Sequence, residues 1–174
     1  MASFQVIPAI DLRGGRVVRL RQGDYDQETV FGDDPVALAE DFAARGARRL
    51  HVVDLDGAKA GSPIQFELVR RMAAVAGLEV DVGGGIRSRE HVARYRAAGL
   101  RWVVLGTVAL REPALVRESA RDWPNGILIG LDAREGRVAV SGWLEQSEVT
   151  VTQIAGHFAA AGVAGVIYTD IARD

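Results

Sequence analysis

Short apolar runs alternate with amphipathic stretches along this chain. Six runs rich in Val, Ile and Leu are nearly continuous, as is typical of strands buried in a parallel sheet; they cover residues 5–10, 50–55, 78–82, 102–105, 127–131 and 165–168. Between them, helical patterns cover residues 34–45, 64–76, 88–98, 112–121 and 150–161. The pattern predicts five strand–helix units and a sixth strand, which is an α/β fold with a parallel sheet.

Two segments of the chain resemble each other at an offset of 121 residues. PAIDLRGGRVVRL and IGLDAREGRVAV match at five positions when Asp11 is aligned with Asp132. Such self-similarity indicates a protein with pseudo-twofold symmetry. Because a half of this length holds four strand–helix units, the repeat favours a closed (βα)8 TIM barrel over an open doubly wound sheet.

The length of the repeat also sets an expectation about completeness. Two halves of 121 residues need 242 residues, and the chain has 174. We therefore expect one partial barrel domain over residues 1–174 with roughly the first six strands, its first half covering about residues 1–121 and its second half starting at about 122.

Composition narrows the possible functions. The net charge of −2 provides no basic field for nucleic acid, and the absence of cysteine excludes disulfides and thiolate chemistry. The N-terminus lacks the basic and apolar regions of a signal peptide, and no apolar run approaches the roughly 20 residues of a membrane span. We therefore expect a cytoplasmic protein without a membrane partner.

The matched aspartates are the first candidates for chemistry. Asp11 and Asp132 follow apolar strands, so both are predicted at the carboxyl ends of strands, where barrel active sites are built. Two carboxylates that face each other across a pocket are suited to one giving and one taking a proton. The alternative is that each Asp caps a turn.

Two glycine-containing segments predict a phosphate site. Gly84 and Arg87 lie in GGGIRS after the third strand, and Gly106 and Thr107 follow the fourth strand. Glycines let backbone N–H groups approach an anion, and a helix N-terminus favours negative charge. Glycine required by a tight turn is the alternative.

Other polar residues are less decisive. Asp54 and Asp56 end the second strand, where turn capping competes evenly with a site role, and the isolated His51 near the start of that strand is more often structural. Trp143 could stack on a flat ring or pack in its loop. The long segments 13–31 and 134–148 are predicted as functional loops after the first and fifth strands. No cluster has metal-ligand spacing.

At the level of whole motifs, the chain resembles a known family. PAIDLRGGRVVRLRQGDY, HVVDLDGAKAG, DVGGGIRS, VVLGT, LDAREGRVAVSGW and YTDIARD occur in the order found in the ProFAR isomerase family of histidine biosynthesis, and the resemblance covers residues 6–174. It implies a (βα)8 barrel that converts an aminoaldose to an aminoketose by an Amadori rearrangement. It also implies a substrate with two phosphates and no metal or organic cofactor.

The resemblance implies a role for each matching residue. Asp11 is similar to the general base and Asp132 to the general acid, with Thr169 assisting the acid and Asp174 as a competing acid–base candidate. The remaining matches imply phosphate or substrate contacts, at Gly84, Arg87, Gly106 and Thr107 for one phosphate and at Arg19, His51 and Trp143 for the rest of the substrate.

The sequence leaves three alternatives open. The sister cyclase, imidazole glycerol phosphate synthase, has the same fold but typically a Cys where Ala9 stands, and the bifunctional histidine/tryptophan isomerase typically has Arg where Ser141 stands. The third alternative is a non-catalytic phosphate-binding barrel fragment. Because two strands of the expected barrel are missing from the pattern, we also expect a complementary C-terminal fragment or self-association across open sheet edges.

Overall fold

A mostly parallel sheet with helices on one face organises the chain. The computed structural model describes residues 4–140 and 145–173. The strands within these ranges are β1 (Ala9–Arg13), β2 (Arg16–Arg21), β3 (Asp24–Gly32), β4 (Arg49–Asp54), β5 (Glu79–Gly83), β6 (Trp102–Leu105), β7 (Ile127–Arg134), β8 (Arg137–Val140), β9 (Glu145–Thr150) and β10 (Gly165–Asp170). The helices are α1 (Pro35–Ala44), α2 (Leu55–Ala60), α3 (Phe66–Ala73), α4 (Arg89–Ala97), α5 (Thr107–Arg111), α6 (Pro113–Asp122) and α7 (Val151–Ala159).

The parallel strands are neighbours in chain order. They follow one another as β1, β4, β5, β6, β7 and β10, and each crossover contains at least one helix. Sequential strand–helix units of this kind are the building pattern of a (βα)8 barrel. The predicted α/β fold of the TIM-barrel type is therefore confirmed.

The two predicted long loops contain antiparallel hairpins. Strands β2 and β3 follow β1, while β8 and β9 follow β7. The prediction that residues 13–31 and 134–148 are loops was therefore wrong for most of the described residues in these segments. The prediction that the two segments occupy equivalent places in the two halves is confirmed. The apolar residues of RVVRLR explain the extra strands, because Val17, Val18 and Leu20 are buried.

The sequence repeat is also a repeat of backbone conformation. Gly14 and Gly15 connect β1 to β2 with φ of 56° and 79°, and Glu135 and Gly136 connect β7 to β8 with φ of 52° and 76°. Two successive positive φ values define the two-residue turn that matches the twist of a hairpin. The 121-residue offset therefore relates the same strand–turn–strand unit in the two halves.

Element boundaries differ from the prediction at several places. Strand β1 covers Ala9–Arg13 instead of residues 5–10, because its partners on β2 and β4 lie opposite its later residues. Phe4 and Val6 are exposed. The two short helices α2 and α5 were not predicted, and each holds only one or two turns, too few for a visible helical period.

The core lies between the sheet and the helices. Every second residue of the parallel strands faces the helices, and the buried set includes Ile10, Val52, Val82, Val103 and Ile129 packed with residues of α3, α4 and α6. On β4 and β5 the alternate residues, which face away from this core, are largely polar. This second face carries the candidate site.

Candidate functional site

The two matched aspartates lie on the same face of the sheet. Asp11 is opposite Val53 of β4, and the register continues through Gly83 and Val104 to Leu128 of β7, four residues before Asp132. Since side chains alternate along a strand, Asp11 and Asp132 both face away from the helical core. Both lie within the last three residues of their strands, at the edge that carries barrel active sites.

Thr169 is the direct neighbour of Asp132. The two residues are paired in the parallel register between β10 and β7, so their side chains leave the same face at the same height. The adjacent Asp170 is used in a turn, where Oδ1 accepts from the Ala172 N–H at 3.2 Å and Oδ2 lies 3.3 Å from Arg173 Nε. Asp174 and Trp143 lie outside the described residues.

The glycine segment after β5 is packed tightly against the loop after β4. A Cβ on Gly84, whose φ is 104°, would lie 2.8 Å from the carbonyl carbon of Asp54 and closer still to its oxygen. A Cβ on Gly85 would overlap the backbone of Gly57. The structure therefore requires glycine here for packing between loops, whatever contact Gly84 also makes with a ligand.

Gly106 has the opposite environment. Among the described residues, no atom lies within 4 Å of a Cβ built on it, outside its immediate chain neighbours, and it directly precedes Thr107 at the start of α5. Its main chain is therefore open to close approach by another molecule. Gly84 and Gly106 follow the neighbouring strands β5 and β6, so the two candidate phosphate segments lie side by side.

Arg87, which follows the glycine segment after β5, lines a surface cleft of about 580 Å³. Its guanidinium covers Gly61 and donates to the Ala58 carbonyl at 3.5 Å. The cleft is also lined by Arg89, which pairs with Asp122 and lies 3.7 Å from Glu118. The charge of Arg89 is thus balanced by neighbouring carboxylates.

Asp54 and Asp56 hold loops together. The buried Asp54 accepts hydrogen bonds from the N–H groups of Gly57, Ile64 and Gln65 at 2.7–2.8 Å. Asp56 accepts from the Gly14 N–H at 2.7 Å and from Gln65 Nε2 at 2.6 Å. The structural role, one of the two alternatives for these residues, is therefore the one that the geometry supports.

The β2–β3 hairpin is fixed to the site by Tyr25, which the sequence pattern did not single out. Its hydroxyl donates to the Leu55 carbonyl at 2.9 Å, and the Arg13 guanidinium lies 5.1 Å from its ring centroid. Burial raises the pKa of Tyr25, the Arg13 guanidinium partly opposes this rise, and nearby carboxylates that include Asp11 add to it. In the sequence, the only feature that distinguishes Tyr25 is an aromatic ring among polar residues.

Arg19, on the same hairpin, is exposed between buried Val18 and Leu20.

On the sheet face that carries Asp11, a layer of charged and aromatic residues lies two residues nearer the amino ends of the strands. His51 of β4 pairs in register with Asp81 of β5, and Asp81 pairs with Trp102 of β6. His51 Nδ1 is hydrogen-bonded to Asp81 Oδ1, while Arg49 stacks 4.0 Å above the Trp102 ring. The sequence pattern did not single out Asp81, although a carboxylate between Val80 and Val82 of a predicted buried strand is a visible signal.

No helix in ranges 4–140 and 145–173 is long and apolar enough to cross a bilayer. The same ranges contain no group of three or more His, Cys, Asp or Glu residues arranged to hold a metal ion.

Comparison with known proteins assigns the family. The family model described as "Histidine biosynthesis protein" matches residues 5–174. An imidazole-4-carboxamide isomerase from Marinobacter nauticus, whose full name specifies a phosphoribosyl and a phosphoribosylamino group, is 51% identical over 97% of this chain and 69% of its own length. Proteins of the same name from Gloeothece citriformis and Synechococcus sp. are 50% and 52% identical over 98% of the chain.

The chain belongs to the ProFAR isomerase family of histidine biosynthesis. It spans about two thirds of the length of these relatives, at 69%, 66% and 67%. The predicted family and its isomerase class are confirmed, and the names of the relatives favour this function over the cyclase and the bifunctional enzyme.

Proposed function

We propose that the site performs the aldose–ketose isomerisation of a phosphoribosylformimino aminoimidazole carboxamide ribonucleotide, with Asp11 and Asp132 as the proton-transfer pair. The observation that carries the proposal is their placement at equivalent positions of the two halves, on one face and at one edge of the sheet. General acid–base catalysis needs two groups of opposite function around one substrate.

The proton transfers follow from this pair. Asp132 donates a proton to the furanose ring oxygen, which opens the ring to a Schiff base. Asp11 then removes the proton from C2′, and the resulting enolamine tautomerises to the ketose. Thr169 assists Asp132 from the neighbouring strand, which its register position supports. Asp174, outside the described residues, is the competing acid.

We propose that one substrate phosphate binds at the segments after β5 and β6. The open main chain at Gly106, the hydroxyl of Thr107 and the Arg87 guanidinium support this placement together with Gly84. Arg19, His51 and Trp143 contact the remaining parts of the substrate in this proposal. The phosphorylated small molecule is then oriented so that its ribose lies between the two carboxylates.

Binding of a phosphoribosyl compound is expected to depend on Arg87 and not on Arg89. Arg87→Gln removes one charge-assisted hydrogen bond and should weaken binding by about tenfold or more, measured by calorimetric titration. Arg89→Gln is the matched control, because its charge is balanced by Asp122 and Glu118. Equal losses in both variants would contradict the phosphate assignment, and binding without turnover in the isomerase assay would favour a non-catalytic phosphate-binding protein.

We further propose that another polypeptide segment covers β10. The described residues pair β10 only with β7, and its Val166 and Tyr168 are exposed. Exposed apolar residues beside an unpaired strand edge favour pairing. Sedimentation and intact mass should therefore detect a complementary chain segment or a second copy. A stable 18.7 kDa monomer that unfolds cooperatively would contradict this expectation.

A further inference from the structure

The layer formed by Arg49, His51, Asp81 and Trp102 contains a buried carboxylate that the proposed reaction does not use. This carboxylate belongs to Asp81. Asp81 is 1% exposed and lies between Val80 and Val82, which belong to the core. A buried carboxylate is costly unless it is paired and hydrogen-bonded. Asp81 has two such partners, since Oδ1 bonds His51 Nδ1 and Oδ2 lies 3.7 Å from Arg49 Nη2.

The position of Arg49 is itself fixed by stacking. Its guanidinium lies 4.0 Å from the Trp102 ring centroid, and the guanidinium of Arg101 lies 4.9 Å from the same ring. A cation over an indole face is held by electrostatic attraction and by contact area. Arg49 therefore approaches Asp81 from the side nearer the amino ends of the strands. Its positive charge compensates the negative charge of an ionised carboxylate.

This arrangement determines which nitrogen of His51 carries a proton. An ionised carboxylate only accepts hydrogen bonds, so the contact with Asp81 requires a proton on Nδ1. In the neutral ring, Nε2 is then an acceptor. No hydrogen bond joins Nε2 to another residue within ranges 4–140 and 145–173, and the His51 side chain is 21% exposed.

His51 is a diagonal neighbour of Asp11. It lies opposite Ala9, two residues before Asp11 on the adjacent strand and on the same sheet face. The spacings within and between strands place the Cα atoms of His51 and Asp11 about 8 Å apart. Ala9 is exposed and carries only a methyl group, so the β1 position directly opposite His51 holds little side-chain bulk.

We propose that Asp81 is a positioning residue that holds His51 in the Nδ1–H form, with Nε2 accepting a hydrogen bond from a hydroxyl or N–H group of the substrate. The inference rests on the proposed function for the contact between His51 and substrate. The tautomer itself depends only on this chain.

Nitrogen-15 NMR of the histidine rings measures the tautomer directly. The chain has three histidines, and the signals of His51 are identified by their loss in His51→Gln. We expect a protonated Nδ1 and a bare Nε2, and a shift towards the Nε2–H form in Asp81→Asn. Glu67→Gln, an exposed carboxylate on α3 that pairs with Arg70, is the control and should leave the His51 signals unchanged. A bare Nδ1 in the unsubstituted protein would overturn the proposal, and this result does not require Asp81→Asn to fold.

A double-mutant cycle tests the link to substrate. In a protein that contains this sequence and spans the full length of the relatives, Asp81→Asn should lower kcat/KM by about 10- to 100-fold, mainly through a higher KM. In the His51→Gln background the same change should cost less than about twofold. Equal losses in both backgrounds, or a lower kcat with KM unchanged, would show a structural role and overturn the proposal. If Asp11→Asn keeps its turnover while this cycle behaves as expected, the acid–base assignment fails and the positioning role stands.

Discussion

Asp11→Asn and Asp132→Asn are each expected to lower isomerase turnover by about 10²–10⁴-fold, the usual contribution of a positioned proton-transfer group. Asparagine keeps the size of the side chain and removes its ability to exchange a proton. Both residues lie at strand ends and face away from the helical core, so the fold should tolerate the change. Turnover should be measured in a protein that spans the full length of the relatives and contains this sequence.

The control for these variants is Asp33→Asn. Asp33 is an exposed carboxylate before α1, distant in sequence from both strand ends, and its replacement should leave turnover within about twofold. If either strand-end variant retains turnover close to that of Asp33→Asn, that aspartate is not the acid or base. Circular dichroism of each variant separates lost chemistry from lost structure.

Gly84→Ala is expected to lower the free energy of unfolding by about 3–5 kcal/mol, from backbone strain together with steric overlap. The φ of 104° disfavours any side chain, and the added Cβ would overlap the main chain of Asp54. Because the opposing atoms are backbone atoms, no rotamer change relieves the overlap. Urea unfolding followed by circular dichroism measures the loss.

Gly46→Ala provides a matched comparison. Gly46 has a φ of 94°, but no atom in the part of the chain that the structure describes lies within 4 Å of its added Cβ, so only the conformational cost of about 1–2 kcal/mol is expected. The difference between the two variants isolates the steric overlap. Equal destabilisation would mean that the close packing of Gly84 on Asp54 is absent in solution.

The sequence predicted the parallel strands and the position of Asp11 and Asp132 at strand ends because both features depend on local patterns. Continuous apolar runs such as residues 127–131 mark buried strands, and an Asp after such a run falls at the strand end. The hairpins were missed because β3 is largely exposed and has no apolar alternation to detect. Asp54 could not be assigned from sequence, since its three N–H partners come from residues 57, 64 and 65 in a folded loop.

The pairing of His51 with Asp81 was harder to predict for a different reason. His51 and Asp81 are 30 residues apart, and only the parallel pairing of β4 with β5 brings them together. A charged residue in an apolar strand indicates that a partner exists, but not which residue it is. The register between strands supplies this information, and no local pattern encodes it.

The duplicated strand–turn–strand unit raises the question of directionality. Two identical carboxylates at equivalent positions would have no reason to divide the work of donor and acceptor, and a substrate with a phosphate at each end could enter in either orientation. The surroundings of the two aspartates differ, however. Asp132 has the hydroxyl of Thr169 beside it, whereas Asp11 has the apolar Val53. In the proposed reaction, the neighbouring strands, where the two halves differ, therefore provide the asymmetry between proton donor and proton acceptor.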